Sequence, residues 1–399
     1  MDEVELELSP TAMAAGGAAL ARDAAGRVVF VEGALPGERV AARVTEARKD
    51  YAKAVAVGVL DVSPDRVAPP CPAVAAGCGG CTWQHVAPDA QLRLKAAIVG
   101  DALRRIGRLP DPPEPRPVAL PGPALRTTAR LAVSPSGRAG HRRRGGTDAV
   151  ATDACLAAHP LLEELIVAGR FPGAEEVLLR VGVASGERLA RATGPAADVE
   201  VPDDVVVVGE GEQRAFVHEE VAGRLFRISV DSFFQPGPVA AAALVAAVEE
   251  AVGGVLGPGS HLVDAYAGTG LFGSVLGAAT GARVTAVESA RAAAFDARAN
   301  LRDLDASVVV VEVARWDARR SGAADVVVAD PARSGLGRPG VTALAAAAAP
   351  RLVLVSCDPA SRPSDAALLA GAGYSLADVA LVDTFPHTFH VETVARFDR

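Results

Sequence analysis

Toward its C-terminal end the chain repeats short apolar runs: "HLVDAY", "RVTAVE", "SVVVVEVA", "DVVVAD" and "RLVLVS". They are unbroken rather than alternating, the pattern of strands buried on both faces. Helix-like segments such as "ESARAAAFDARANLRDL" lie between them. Strand alternating with helix predicts a doubly wound parallel sheet with ligands at the carboxyl ends of its strands. Two more β-like runs, "YSLADVALVDTF" and "HVETVARFD", close the chain. At the other end, "VELELS", "GRVVFVEG", "ERVAARVTEA" and "KAVAVGVLDV" alternate apolar and polar positions between Gly and Pro signals, which predicts a small OB-type β-barrel. A Pro-rich linker, a helix over 89–108 and strand-like pieces such as "LRTTARLAVS" and "EEVLLRVGVA" occupy the middle. The expected fold is multidomain: an OB-type barrel over 1–60, a central α+β domain over 61–234, and a Rossmann-like α/β sheet over 235–399. Helix 89–108 is a candidate to pack on the last of these.

The 399 residues carry a formal net charge of −8, so nothing global marks a nucleic-acid binder, and basic surface has to be local. "GHRRRGG" makes Arg142, Arg143 and Arg144 the candidates for an RNA contact, against the plainer reading of a solvated loop. The acidic N-terminus lacks the cationic and apolar regions of a signal peptide. "VAAAALVAAVEEAVGGVL" is interrupted by Glu249 and Glu250 and is too short to span a bilayer. Five cysteines, an odd number, argue against a disulfide framework. A soluble, cytoplasmic, monomeric chain without a membrane partner is expected.

The chemistry gathers at strand ends. In "HLVDAYAGTGLFG" a strand runs into a Gly-rich turn, where Gly268 and Gly270 let a ligand approach the backbone. The next strand ends at Glu288, placed to accept hydrogen bonds from ribose hydroxyls. The third glycine of the dinucleotide fingerprint is missing, and the turn resembles the first motif of S-adenosylmethionine-dependent methyltransferases. Asp330 ends the fourth strand, and in "LVSCDPASR" Cys357 ends the fifth, just before a turn opened by Asp358 and Pro359. Both side chains are expected in one crevice. "DTFPHTFHVETVARF" adds Glu392, a carboxylate able to act as a base. Methyl donor, thiol and carboxylate together suit methylation at C5 of a pyrimidine. That carbon is a poor nucleophile until a thiolate adds to C6, and a base must afterwards remove the C5 proton. Elsewhere, "CPAVAAGCGGCTWQH" spaces Cys71, Cys78 and Cys81 by six and two residues, and Cys155 follows. Four such cysteines suit Zn²⁺ or an iron–sulfur cluster, although paired C-x2-C knuckles and the radical C-x3-C-x2-C spacing are both absent.

These motifs together resemble bacterial RNA 5-methyluridine methyltransferases over nearly the whole chain. The resemblance of "SFFQPG" implies that Gln235 contacts the cofactor, and that of "DAYAGTG" makes Tyr266 a further contact and Glu288 the ribose acceptor. "DPARSG" implies a role for Asp330 at cofactor and target base, while "VSCDP" and "FPHTFHVE" make Cys357 the nucleophile and Glu392 the base. Residues 1–60, with "VVFVEGALPGERV", resemble a TRAM domain, an OB-type RNA-binding module. The family's ribosomal-RNA branch implies a [4Fe–4S] cluster on Cys71, Cys78, Cys81 and Cys155, and hence a uridine of 23S rRNA as target. The chain departs from the family at Asp358 (commonly Asn), Ala267 (usually Cys) and Leu271 (an Asn that touches the cofactor). The alternatives are a methyltransferase for the T-loop uridine of tRNA, a catalytically silent RNA-binding protein of the same architecture, and a methyltransferase acting on something other than RNA.

Overall fold

A computed structural model of the chain describes residues 4–399 apart from 108, 110, 121–124, 195–196, 210–214 and 359–360, with the backbone alone for 361–363. Pro359 and Arg108, the expected turn opener and helix end, lie outside the described residues.

The first sheet comprises β1 (Glu5–Leu8), β2 (Ala12–Met13), β3 (Ala19–Arg22), β4 (Val28–Glu32), β5 (Arg39–Ala47) and β6 (Tyr51–Asp61), in the order β1-β5-β6-β4-β3-β2. Only β4 and β6 pair in parallel. Alternation holds as read: Val29, Val31, Val40, Ala42, Ala52 and Ala54 are buried between more exposed neighbours. Closure into the expected OB barrel is not seen among the described residues, because the edge strands β1 and β2 do not pair. β2 is only two residues long, and Pro10 stands between it and β1. The open face is sealed by Trp83, Leu94 and Ile98, so the core of this sheet extends beyond residue 61.

Those residues lead to α1 (Pro88–Arg105) and β7 (Arg116–Val118). The central sheet follows with β8 (Thr128–Val133), β9 (Ala139–Arg142) and β10 (Ala149–Ala151), then α2 (Pro160–Ala168), β11 (Glu176–Val181), β12 (Arg188–Thr193) and β13 (Val205–Val207). Its order is β10-β9-β8-β11-β12-β13, and a separate hairpin is formed by β14 (Phe216–Val221) and β15 (Arg224–Ser229). Helix α1 carries two apolar faces. Leu94 and Ile98 meet the first sheet, while Val99 and Leu103 enter the core of the last one.

The last sheet is built from α3 (Pro238–Val252), β16 (His261–Ala265), α4 (Leu271–Thr280), β17 (Arg283–Glu288), α5 (Arg291–Asn300), β18 (Ala306–Val310), β19 (Val326–Ala329), α6 (Gly337–Ala345), β20 (Arg351–Ser356), α7 (Ser361–Gly371), β21 (Ser375–Val382) and β22 (Glu392–Asp398). Its strand order is β18-β17-β16-β19-β20-β22-β21-β7, with the order reversing beside β16. β22 runs antiparallel to both neighbours, so its first residue lies at the carboxyl edge of the parallel strands. The outermost strand, β7, comes from the middle of the chain and pairs in parallel with β21. Among the described residues no helix is long and apolar enough to cross a membrane.

Candidate active site

Five strands of the last sheet each bring one candidate side chain to the carboxyl edge of the parallel strands. Tyr266 follows β16, Glu288 ends β17, Asp330 follows β19, Cys357 follows β20 and Glu392 opens β22. With Gln235 and Gly268 they line a single cavity of about 590 Å³. Gly270 does not line it and instead begins α4.

The β16–α4 turn is held in left-handed backbone by Tyr266 (φ 59°), Gly268 (φ 55°) and Gly270 (φ 84°). At Gly268 no protein atom lies within 4 Å of the place a Cβ would take, so this stretch of backbone is bare toward the cavity. Glu288 accepts from the N–H groups of Gly268 (2.8 Å) and Ala290 (2.6 Å). Ser289 Oγ also donates to it at 3.4 Å, so of a carboxylate's roughly four lone-pair sites about one is left for a ligand's hydroxyl. These residues fit the ribose and backbone-facing parts of S-adenosylmethionine. Beneath the turn, fully buried Asp264 accepts from Gly273 N–H at 2.8 Å, and burial pushes its carboxyl up to about 8.

At the reacting end, Gln235 donates to Asp330 at 3.4 Å, and burial raises the Asp330 carboxyl to about 7. The β20–β22 ladder ends at Ser356↔Thr393, and Cys357 and Glu392 are the next residue along each strand from that pair. Burial, then the charges of Glu392 and Asp330, push the Cys357 thiol up to about 11, while Arg333 opposes them. The free site therefore holds a neutral Cys357 thiol.

The loop that carries Gln235 is anchored from below. Buried Asp296 accepts from Ser229 N–H (2.8 Å), Ser229 Oγ (2.8 Å) and Ser232 Oγ (2.5 Å), and pairs with Arg227. Arg180 donates to the carbonyls of Ser229 and Ser232.

Comparison with known proteins agrees with this geometry. The TRAM domain model matches residues 4–57. A Streptomyces avermitilis protein described as an uncharacterized RNA methyltransferase is 36% identical over 428 positions, spanning 99% of this chain and 98% of its own length. The chain belongs to this family of RNA methyltransferases. A Corynebacterium efficiens relative, again described as an uncharacterized RNA methyltransferase, is 34% identical and spans 100% of the chain and 95% of itself. The structure of Pyrococcus abyssi tRNA (uracil-54, C5)-methyltransferase in complex with S-adenosyl-L-homocysteine matches with a TM-score of 0.75 over 98% of this chain and 100% of that one. At 23% identity this likeness establishes the shared fold.

In this methyltransferase the remaining cysteines lie apart from the cavity. Cys71, Cys81 and Cys155 are buried and Cys78 is half-buried, and none of the described cysteines is in a disulfide. Burial raises the thiols of Cys78 and Cys155; nearby Cys81 and Cys71 add to the first, and Cys81 and Cys78 to the second. Gly80 N–H donates to Cys78 Sγ at 3.5 Å. Among the described residues, however, no group of three or more His, Cys, Asp or Glu is arranged to hold a single metal ion.

The three arginines of "HRRRGG" are each tied within the chain. Arg142 bonds Glu176 (3.3 Å), Arg143 the Ala76 carbonyl (2.9 Å), and Arg144 both Glu32 (3.4 Å) and the Thr82 carbonyl (3.5 Å). Arg333 lines the cavity and Arg126 an adjoining one; both stand singly in the sequence, and no charge run marks them.

Proposed function

We propose that the protein methylates C5 of a uridine in RNA, with S-adenosylmethionine as donor, Cys357 as nucleophile and Glu392 as base. The observation that carries this reading is that Cys357 and Glu392, the residues just beyond the last β20–β22 pair, line one cavity with Gly268 and Glu288. The uracil-C5 chemistry of the Pyrococcus abyssi enzyme, on the same fold, supports it.

The small fraction of Cys357 that has released its thiol proton to solvent adds as thiolate to uracil C6, and the electron pair of the C5=C6 bond moves onto the C4 carbonyl as an enolate. Residues of the β16–α4 turn would hold S-adenosylmethionine, which would supply the electrophilic methyl group that the enolate takes at C5, its methyl–sulfur bond breaking to leave the neutral thioether. Glu392 then removes the C5 proton, C5=C6 re-forms, and the C6–S bond breaks to return Cys357 as thiolate. Asp330, held by Gln235, positions the groups at the reacting end. The target base has to leave its stack to reach Cys357, which favours an unpaired loop.

The four neighbouring thiols support Cys71, Cys78, Cys81 and Cys155 as ligands of a [4Fe–4S] cluster that joins separate segments, and with it a 23S rRNA target. A tRNA T-loop uridine is the second reading, favoured by the shared fold with the Pyrococcus abyssi tRNA enzyme.

Two variants test the chemistry. Cys357→Ala should abolish methylation and any covalent complex with RNA. Glu392→Gln should still add and methylate but stall at elimination, so that a protein–RNA adduct accumulates on a denaturing gel. Normal turnover by Cys357→Ala would refute the mechanism. Anaerobically purified protein with zinc and no iron would remove the cluster, and methylation of T-loop transcripts but not of 23S fragments would decide for tRNA.

A further inference from the structure

The cavity at Cys357 does not end there. It shares the walls Phe233, Phe234, Arg333, Phe385 and His390 with a second cavity of about 530 Å³. That chamber adds Arg126, Arg130 and Arg180 to Arg333, so guanidinium groups dominate its charge. Phe233, 69% exposed, stands at the junction. Through Thr82 and Phe389 the second cavity meets a third, of about 250 Å³, set between the first sheet and the loop before β22.

The third cavity has the makings of a base site. Phe30, Trp83 and Phe389 supply aromatic surface, and the volume suits one ring system rather than a helix. Thr82 Oγ and His85 Nε2 both belong to residues that line it. Both atoms are buried and have no hydrogen-bond partner among the described residues. Buried polar atoms are seldom left so, and each such orphan calls for an explanation. Burial, then Arg66 and Arg144, hold His85 down to about 4, so the ring is neutral at pH 7. A hydroxyl and a neutral imidazole together offer a donor and an acceptor, the pairing that the edge of a nucleobase presents. Lys53 on β6 and Glu32 on β4 also line it, the first paired with Glu46 at 2.8 Å and the second with Arg144 at 3.4 Å.

We infer that the slot between β4, β6 and the Thr82–His85 segment binds a second, unpaired RNA base, a nucleotide or more away from the target uridine, with Thr82 Oγ and His85 Nε2 reading its edge. The strand joining the two bases crosses the arginine-lined chamber, where phosphates meet Arg126 and Arg333. This site deepens the proposed function and rests on it for the nature of the ligand. It gives the TRAM sheet a definite task, to hold a base at a fixed distance from Cys357.

The probe is a single-stranded RNA of about twelve nucleotides, within the usual reach of single-strand-binding modules. It carries one 5-fluorouridine, whose C5 fluorine cannot be abstracted as a proton and so traps the adduct on Cys357. A 4-thiouridine is moved through the flanking positions. Photocrosslinks to the segment 82–85 or to Phe389 should concentrate at one offset from the trapped base. Thr82→Val should weaken binding of the same RNA by about three- to tenfold, the loss of one hydrogen bond. Its salt dependence should be unchanged, because no phosphate contact is lost. S-adenosylmethionine affinity serves as the folding control. Trapping at Cys357 with no crosslink to the slot at any offset, or a Thr82→Val protein that binds RNA as tightly as wild type, overturns the inference and leaves the chemistry standing. Absence of trapping together with position-specific crosslinks at the slot retains the base site and refutes the proposed mechanism instead.

Discussion

Lys95 and Asp383, separated by most of the chain, form a buried ion pair at 2.6 Å, with the lysine side chain fully enclosed. The ammonium also donates to the Phe385 carbonyl at 3.2 Å. One turn earlier on α1, Gln91 accepts from His387 N–H at 2.7 Å, and Trp83 N–H donates to the His387 carbonyl at 2.8 Å. Helix α1 thus holds the loop that brings Phe385, His390 and Glu392 to the cavity. Removing one partner of such a pair strands the other charge, at a cost of about 3–5 kcal/mol. Lys95→Met should therefore lower the midpoint of urea unfolding strongly. The double variant Lys95→Met/Asp383→Leu should recover much of that loss, and failure to recover would show that the pair is not an isolated charge couple.

The loop that ends in Gln235 depends on Asp296 in the same way. Asp296→Ala leaves two hydroxyls and one N–H without their acceptor and Arg227 without its partner, a destabilisation of about 3–5 kcal/mol. In the fraction that stays folded, S-adenosylmethionine should bind more weakly, as calorimetry would read. Wild-type affinity would show that Gln235 is held by other contacts.

The raised Cys357 thiol gives a pH signature. With its pKa near 11, only the small thiolate fraction reacts in the free enzyme. Alkylation of Cys357 by iodoacetamide, followed by peptide mass spectrometry, should quicken about tenfold per pH unit from pH 7 to 10 without a plateau. Glu392→Gln removes a charge that raises the pKa and should speed alkylation at fixed pH, whereas Arg333→Ala should slow it.

Asp264 makes stability itself pH-dependent. Its folded pKa, about 8, lies above its ordinary value of 3.8, so the folded state binds the proton more tightly. Its stabilising contribution is whole below pH 4 and is lost as pH rises through 8. Asp264→Asn keeps the acceptor for Gly273 N–H but does not titrate. The difference in Tm between variant and wild type should shift in favour of the variant from pH 4 to 8 and level off above. A difference independent of pH would mean that Asp264 ionises normally.

The catalytic edge was legible because its strands are buried on both faces. "RVTAVE" and "RLVLVS" coincide with β17 and β20, and the polar residue that stops or follows each run is the one facing the cavity. What stayed hidden is non-local. β7 is three residues, Arg-Pro-Val, in a Pro-rich stretch, and only its pairing with β21 makes it a strand. Lys95 and Asp383, or Asp296 and Ser232, carry no shared signal in the linear chain because their partnership is created by packing. For the arginine run, charge density in the sequence says nothing about whether the chain itself supplies counterparts, as Glu176 and Glu32 do here.

β7 also bears on how the molecule is made and how it can be cut. The outermost strand of this sheet is synthesised long before the strand it lies against, so β21 leaves the ribosome toward a partner already made. A fragment beginning at residue 235 would lack that cover and present β21 as a bare edge, the kind of surface on which copies of a protein add to one another. An active miniature therefore has to begin upstream of Arg116, and preferably upstream of α1, whose Val99 and Leu103 close the same sheet. Evolution faces the same limit as the protein engineer: the catalytic half cannot be traded between chains without carrying a piece of its neighbour.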